Sequence, residues 1–182
     1  MMLIVDMNFQ KESLGIYEFV HPITSIAKNF EKCTIKHYSE LGRANIDKYS
    51  RVIISGNALR NEGVLNRLEC FGWIRGCEKP VLGICAGMQT VSLVFGSSLR
   101  RCVEIGMRRV ETVKENALFS TSFDVYELHG YAVRPSAEFD VLAKSERCVQ
   151  AVKHRKRDIY GVLFHPEVRN REIIERFAAL PT

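Results

Sequence analysis

A cysteine lies at the centre of a short motif flanked by glycines, Gly83-Ile84-Cys85-Ala86-Gly87. The apolar run Pro80 to Ile84 predicts a strand, and Ala86 to Phe95 predicts a helix. A nucleophile between a strand and a helix, with glycines two residues away, is typical of a nucleophile elbow. The helix N-terminus favours the thiolate, and the backbone N–H of Ala86 can bind an oxyanion. Taken alone, the motif fits an inert buried cysteine in a tight turn equally well.

A candidate base for Cys85 occurs near the end of the sequence, in His165-Pro166-Glu167. The apolar stretch Ile159 to Phe164 predicts a strand that brings His165 to the same sheet edge as Cys85. Glu167 can accept a hydrogen bond from the imidazole, and a thiolate nucleophile needs a base oriented in this way. His-Pro-Glu by itself is weak evidence. Combined with the elbow, it predicts a Cys-His-Glu catalytic constellation.

The elements that would position these residues alternate between strand and helix over the first half of the chain. Strands are predicted at Met2–Met7, Thr34–Tyr38, Val52–Ser55 and Pro80–Ile84, and helices at Pro22–Phe30, Gly63–Gly76 and Ala86–Phe95. After Gly96 the pattern is β-rich, with strands predicted at Arg101–Ile105, Arg108–Val113, Val125–Val133, Val141–Lys144, Val149–Lys153 and Ile159–Phe164 before a last helix at Asn170–Ala179. This order predicts a three-layer α/β fold: a mostly parallel central sheet with helices on both faces and a β-rich C-terminal half. No linker or repeat interrupts it, so we expect one domain over residues 1–182.

The composition excludes several classes of protein. Lys and Arg total 26 against 21 Asp and Glu, a net charge of +5, and hydrophobic residues make up 46% of the chain. These values argue against disorder and against a fibrous repeat. No apolar stretch approaches the roughly 20 residues that cross a bilayer, and the N-terminus has no secretory leader. We therefore expect a cytoplasmic chain that binds no membrane.

The six cysteines show neither the Cys-x-x-Cys spacing of a zinc or redox site nor a disulfide framework. Five of them are expected to be small buried residues in a reducing compartment, and no metal site is predicted. Nucleic-acid binding fits poorly because the charge is modest and no recognition motif accompanies it. The basic run Lys153-His154-Arg155-Lys156-Arg157 is expected to form a hairpin turn, either solvated or in contact with a partner protein.

The two motifs together resemble the class I (triad) glutamine amidotransferase domain. The segments that carry the resemblance are Gly83 to Gln89 and Gly161 to Glu167. It covers essentially the whole chain, and the part from Asn116 to Glu167 is most similar to the stand-alone glutaminase subunit of archaeal GMP synthase. The resemblance implies hydrolysis of glutamine through a cysteine thioester, with release of ammonia.

The resemblance also assigns roles to individual residues. It implies that Cys85 is the nucleophile, His165 the general base and acid, and Glu167 the orienting carboxylate. Gly56 and Asn57, after the third strand, would join Ala86 in the oxyanion hole. Gln89 matches a glutamine-binding position, and Leu128 and His129 lie in a segment that corresponds to a substrate-binding motif of the glutaminases.

Two segments depart from the family pattern. The run after the third strand is Ser55-Gly56-Asn57-Ala58, where the family has two glycines and a proline. In Glu127-Leu128-His129-Gly130-Tyr131-Ala132-Val133, which aligns with a Ser-His-x-Asp-x-Val motif, Leu128 replaces Ser and Tyr131 replaces Asp. The second of these departures affects the expected partner more than the glutaminase chemistry.

The sequence lacks the glycine-rich loops that bind nucleotide phosphates. Together with the resemblance, this implies a separate synthetase subunit that holds ATP and magnesium and uses the ammonia, with conversion of XMP to GMP as the leading reaction. No cofactor is expected in this chain. Two alternatives remain at this point: an independent hydrolase of γ-glutamyl compounds, and a catalytically silent regulatory or binding module.

Overall fold

The protein is described by a computed structural model that covers residues 1–41, 46–59 and 62–181. Nine strands of the described chain form one sheet in the order β2-β1-β3-β4-β9-β8-β7-β5-β6. They are β1 (Met2–Asp6), β2 (Cys33–His37), β3 (Val52–Ile54), β4 (Val81–Ile84), β5 (Ser98–Thr112), β6 (Phe123–Arg134), β7 (Phe139–Lys144), β8 (Val149–His154) and β9 (Ile159–Val162). None of the described helices has the length and apolar character needed to span a membrane.

The sheet has a parallel half and an antiparallel half. Strands β2, β1, β3, β4 and β9 run parallel to one another, whereas β8, β7, β5 and β6 extend the sheet with antiparallel pairs. The helices are α1 (His21–Ala27), which follows a π-helical turn at Ile16–Val20, then α2 (Ala86–Val94) and α3 (Arg171–Ala178). The carboxyl ends of β3, β4 and β9 meet at one edge because these neighbours are parallel.

Successive residues of the parallel strands point to opposite faces, which separates the core into two clusters. In β1, Leu3 and Val5 belong to the cluster that contains Met88 of α2. Met2 and Ile4 belong to the other cluster, which contains Ile23 of α1 and Phe177 of α3. Every residue of β1 is buried, as a strand covered by helices on both faces must be. The predicted three-layer α/β fold is thus confirmed.

Two predicted elements differ from the structure. Gly63–Gly76 was expected to form one helix but forms two 3-10 segments, Glu62–Asn66 and Leu68–Gly76. Its three glycines and its aromatic residues have low helix propensity, so packing against α2 decides the local conformation.

The second difference concerns the predicted strands Arg101–Ile105 and Arg108–Val113, which are one continuous strand, β5. Gly106 lies inside it with a φ of +92°, and the register against β6 shifts between Arg101 and Glu104. The strand therefore continues through Gly106. A β-bulge between Arg101 and Glu104 accommodates one extra residue of β5.

The remaining predicted elements are confirmed with boundaries that shift by one to a few residues. The basic run after Val152 completes β8 and forms the turn into β9, as expected of a hairpin. Strand β9 ends at Val162, so His165 follows the strand by three residues instead of directly ending it.

Candidate active site

Cys85 lies in a strained turn between β4 and α2. Its φ of 50° and ψ of −106° are unusual for a residue with a side chain. The backbone N–H of Cys85 donates to the carbonyl oxygen of Val162 at 2.8 Å, and the N–H of Gln89 donates to the carbonyl oxygen of Cys85 at 3.0 Å. The turn is therefore anchored to the end of β9 and to the first turn of α2, which is the geometry expected of a nucleophile elbow.

The glycines of the elbow are required by close packing. A Cβ on Gly83 would lie 2.5 Å from the carbonyl carbon of Gly87, and a Cβ on Gly87 would collide with the carbonyl oxygen of Ile54. Real Cβ atoms essentially never come this close to backbone atoms. Glycine at both positions is therefore what allows the turn to close.

His165 is held in place from three sides. Its Nδ1 lies 2.8 Å from Oε1 of Glu167, to which it donates a hydrogen bond, and each side chain is only 1% exposed. Its backbone N–H donates to the carbonyl oxygen of Tyr126 in β6 at 2.9 Å. The ring of Phe19 packs against the imidazole, with centroids 5.6 Å apart. These contacts fix the ring so that Nε2 is the nitrogen left for Cys85.

The charges around His165 favour its protonated form. Burial alone would lower the pKa of the imidazole, but the charge of Cys85 and the carboxylate of Glu167 raise it well above the ordinary value. The Cys85 thiol donates a long hydrogen bond, 3.5 Å, to the carbonyl oxygen of Leu128. Within the described chain, Nε2 of His165 has no partner of good hydrogen-bond geometry. Once the Cys85 thiol has lost its proton, its charge is what favours the imidazolium form of His165.

The turn after β3 contacts both the nucleophile and the base. A Cβ on Gly56 would lie 2.6 Å from Cε1 of His165 and 3.3 Å from Cβ of Cys85. The side-chain amide of Asn57 donates to the carbonyl oxygen of Met7 at 3.0 Å, which ties the turn to the segment after β1. Ala86 is the first residue of α2, where backbone N–H groups have no partner within the helix. The three predicted oxyanion residues are thus brought together around Cys85.

A small cavity lies beside Cys85. Its volume is about 20 Å³, which is roughly the space for one water molecule. It is lined by residues of the turn after β3, the 3-10 segments, α2 and β6: Asn57, Ala58, Leu59, Leu65, Cys85, Ala86, Gln89, Leu128, His129, Gly130 and Tyr131. The side-chain amide of Gln89 donates to the carbonyl oxygen of Tyr131 at 2.8 Å, so α2 and β6 are linked across the cavity.

The predicted substrate-binding residues differ in how they reach this cavity. Leu128 is half-buried, and its carbonyl oxygen faces the Cys85 thiol. The side chain of His129, in contrast, is fully buried and contacts Glu104 and Glu127. A role for His129 in substrate binding therefore stays a prediction, with its side chain engaged in the protein interior.

The buried carboxylate of Glu127 was not predicted as part of the site. Nδ1 of His129 donates to the carbonyl oxygen of Cys102 at 3.0 Å, while its Nε2 lies 3.1 Å from Oε2 of Glu127. A bare ring nitrogen and a carboxylate cannot donate to each other, so this contact requires one shared proton. Burial raises the pKa of Glu127, although His129 and the nearby charge of His165 act in the opposite direction. The sequence did contain a signal for this contact. Glu127 lies two residues from both Val125 and His129, so all three side chains are expected on the same face of the strand.

A second buried polar cluster, formed by β5 and the residue before β8, contains side chains of the types that ligate metal ions. One donor atom each from Cys102, Glu104 and Cys148 lies within 4.8 Å of the others, and all three residues are buried. Thiolates and a carboxylate are ligands that zinc accepts. In this structure the Cys148 thiol and the Gln150 amide donate to Oε2 of Glu104, at 3.2 and 3.3 Å. Sequence spacing gives no sign of this cluster because its members come from β5 and from the start of β8.

Known proteins resemble this chain in both sequence and fold. The family profile described as glutamine amidotransferase class-I matches residues 17–178. The chain belongs to the class-I glutamine amidotransferase family. The enzyme class predicted from the two motifs is thereby confirmed.

Archaeal relatives extend the comparison. The chain is 32% identical to the glutamine-hydrolysing GMP synthase subunit of Pyrococcus furiosus over 181 residues, which cover 90% of this chain and 93% of the relative. It is 37% identical to the corresponding subunit of Methanocaldococcus jannaschii over 111 residues, 57% of this chain and 59% of the relative. The match to the second relative therefore spans less than two thirds of that protein.

Solved structures agree with the fold. A GMP synthase subunit from Thermoplasma acidophilum superposes with a TM-score of 0.84 at 25% identity, covering 97% of this chain and 91% of the other. A glutamine amidotransferase from Thermotoga maritima gives a TM-score of 0.71 at 24% identity, with 97% and 79% covered. This second similarity concerns the fold alone.

Proposed function

We propose that this chain is the glutaminase subunit of a two-subunit GMP synthase in the cytoplasm. It would release ammonia from glutamine and deliver it to a separate synthetase subunit, which holds ATP and magnesium and converts XMP to GMP. The observation that carries the proposal is the buried Cys85, His165 and Glu167 arrangement, in a chain similar to the glutamine-hydrolysing GMP synthase subunit of P. furiosus over 90% of its length.

In the first step, the Cys85 thiolate attacks the side-chain amide carbon of glutamine. The carbonyl oxygen becomes an oxyanion, for which the N–H of Ala86 and the turn at Gly56–Asn57 are the candidate donors. The imidazolium form of His165 donates its proton to the amide nitrogen, so ammonia leaves as the carbon–nitrogen bond breaks. The product on the enzyme is a γ-glutamyl thioester of Cys85.

In the second step, water hydrolyses the thioester. His165, now neutral, accepts a proton from the attacking water, and Glu167 stabilises the imidazolium that forms again. Collapse of the second tetrahedral intermediate releases glutamate and restores the thiolate of Cys85. Each proton taken up by His165 is returned within the cycle, so the step needs no group beyond the triad and water.

The small cavity beside Cys85 suggests how the synthetase subunit affects glutamine hydrolysis. With about 20 Å³ beside Cys85, glutamine requires separation of α2 from β6, including the Gln89 to Tyr131 hydrogen bond. Docking of a synthetase subunit can supply the free energy for this opening, because a partner that binds the open form better shifts the population toward it. We therefore expect low glutaminase activity in the isolated chain.

The test is a reconstituted assay with the GMP-synthase-type synthetase subunit from the same genome. Glutamate and GMP are measured in the presence of glutamine, XMP and MgATP, and ammonia replaces glutamine as a control. We expect Cys85→Ala to abolish GMP formation from glutamine but not from ammonia. Cys70→Ala, at a half-buried thiol outside the site, should behave as the wild type.

Other outcomes of this assay have defined meanings. Turnover of γ-glutamyl peptides in preference to glutamine, without any partner, would favour an independent γ-glutamyl hydrolase. Absence of glutamate release under every condition would favour a catalytically silent module. Glutamine hydrolysis that no XMP-using subunit stimulates would keep the glutaminase and refute the GMP assignment.

A further inference from the structure

An exposed apolar surface lies on the long β5–β6 ribbon, next to the active site. On β5, Val103, Ile105 and Met107 are separated by the buried Glu104 and the half-buried Gly106, and they are 39%, 53% and 44% exposed. On β6, Leu128 is the cross-strand partner of Ile105, and Tyr126 is the partner of Met107. Directly opposed residues of antiparallel strands share a face. These five side chains, Val103, Ile105, Met107, Tyr126 and Leu128, therefore form one contiguous surface, called the ribbon face below.

The ribbon face is continuous with the catalytic machinery. The carbonyl oxygen of Tyr126 accepts the backbone N–H of His165, and the carbonyl oxygen of Leu128 accepts the Cys85 thiol. Leu128 also lines the cavity beside Cys85. A protein seated on the ribbon face would thus press on the two strand residues that contact the nucleophile and the base.

Arg109 and Arg147 lie at the edge of the ribbon face. Both are exposed, and Nη1 of Arg147 donates to the carbonyl oxygen of Val103 at 2.9 Å. Arg109 pairs with Asp124 at 3.4 Å, whereas Arg147 has no carboxylate partner among the described residues. Arg101 and Arg108 lie on the other face of the ribbon, where they contact Tyr131 and Glu104. The edge of the ribbon face therefore carries one unpaired positive charge.

We propose that the ribbon face is the docking surface for the ammonia-accepting synthetase subunit, which would present an apolar patch with a carboxylate at its edge. The proposal rests on the proposed function, since ammonia is released beside Leu128 and has to be received nearby. A second copy of this chain fits less well, because a twofold contact would bring two positively charged edges together. Nucleic acid fits less well because the centre of the face is largely aliphatic.

The experiment measures binding of the wild-type chain and its variants to the synthetase subunit by calorimetry, with XMP and MgATP present. Ile105→Asp and Met107→Asp place a carboxylate at the centre of the face, and we expect each to weaken binding by about tenfold or more. Phe30→Asp is the matched control: Phe30 is 45% exposed and lies far along the chain, after α1. It should bind as the wild type.

A second measurement does not depend on variants. Hydrogen exchange of the wild-type chain should slow at residues 103–107 and 126–128 when the synthetase subunit binds, because docking covers them. Arg147→Glu should weaken binding and reduce its dependence on salt. Wild-type affinity in both Ile105→Asp and Met107→Asp, with no change in exchange at the ribbon face, would overturn the proposal.

The two hypotheses fail in different ways. If the complex forms through the ribbon face but releases no glutamate, the docking surface stands and the glutaminase function falls. If glutamine-dependent GMP synthesis is normal in Ile105→Asp and Met107→Asp, the function stands and the docking surface falls. Two further results would overturn the proposal. If the wild-type chain forms dimers in sedimentation and Ile105→Asp abolishes them, the ribbon face binds a second copy of this chain. If the wild-type chain binds nucleic acid and Ile105→Asp abolishes that binding, the ribbon face binds nucleic acid.

Discussion

Nδ1 of His165 lies 2.8 Å from Oε1 of Glu167, and both side chains are almost completely buried. A buried imidazole would ordinarily lose its proton more easily than one in water. Here the charges of Cys85 and Glu167 outweigh burial and raise the pKa of His165 well above its usual value of about 6.5. The charges of Cys85 and Glu167 therefore favour the imidazolium form of His165, which can donate to the leaving ammonia.

Replacing the orienting carboxylate tests this relationship. We expect Glu167→Gln to lower the rate of glutamine hydrolysis by about 10²-fold, a typical contribution of acid–base catalysis, because the ring loses its orientation and its counter-charge. The pKa of His165 should fall toward the ordinary range, which an NMR titration of the imidazole measures directly. Glu172→Gln, in the first turn of α3, is the control. An unchanged His165 titration in Glu167→Gln would contradict the account.

The buried Glu127 gives a prediction about stability and pH. Burial raises the pKa of Glu127 in the folded state above its unfolded value of about 4.3. At a pH between these two pKa values, the folded protein binds a proton that the unfolded chain does not bind. Stability contributed by that proton is present at low pH and is lost as the pH rises through the folded pKa. Glu127→Gln cannot ionise, and its amide can still donate to Nε2 of His129. We expect the variant to be more stable than the wild type at pH 8, with a smaller gain at pH 5.

Thermal unfolding at several pH values measures this difference. The variant should have a higher Tm than the wild type at pH 8, and the difference should be smaller at pH 5. The exposed Glu146→Gln serves as the control and should leave Tm unchanged at each pH. If Glu127→Gln proves less stable than the wild type at pH 8, then the shared proton resides on His129 and Glu127 is ionised.

The elbow gives a third prediction. In Gly87→Ala the new Cβ meets the carbonyl oxygen of Ile54, whereas in Gly72→Ala it meets no atom within 4 Å. We expect Gly87→Ala to cost about 1–3 kcal/mol in urea unfolding, as overpacking of a well-packed interior does. Gly72→Ala should stay within about 0.5 kcal/mol of the wild type. Equal stability of the two variants would show that the elbow tolerates a side chain at Gly87.

Much of the site was predictable because its central residues lie at the ends of adjacent parallel strands. Cys85 follows β4 and His165 follows β9, and the parallel pairing of these strands brings both residues to one sheet edge. Glu167 is two residues from His165, so local chain geometry is enough to place it beside the ring. Strand order and short spacing were the information needed, and both can be inferred from the sequence.

The contribution of β6 could not be predicted in this way. Tyr126 and Leu128 contact the site through backbone carbonyls, which carry no residue-specific signal. Their position depends on how the β5–β6 ribbon returns over the parallel strands, and a β-bulge after Arg101 sets its register. The cluster of Cys102, Glu104 and Cys148 was missed for the same reason, since it forms only when β5 and the start of β8 pack together.

The most direct measurement is covalent labelling of the intact chain with a glutamine-mimicking diazoketone, followed by peptide mass spectrometry. Cys85 is the one cysteine that lies in a strained elbow, beside a histidine whose pKa is raised. Labelling should therefore occur at Cys85, increase when the synthetase subunit is present, and disappear in Cys85→Ala but not in Cys70→Ala. Labelling spread over the other cysteines, or none at Cys85 with any partner, would contradict the assignment of Cys85 as the nucleophile.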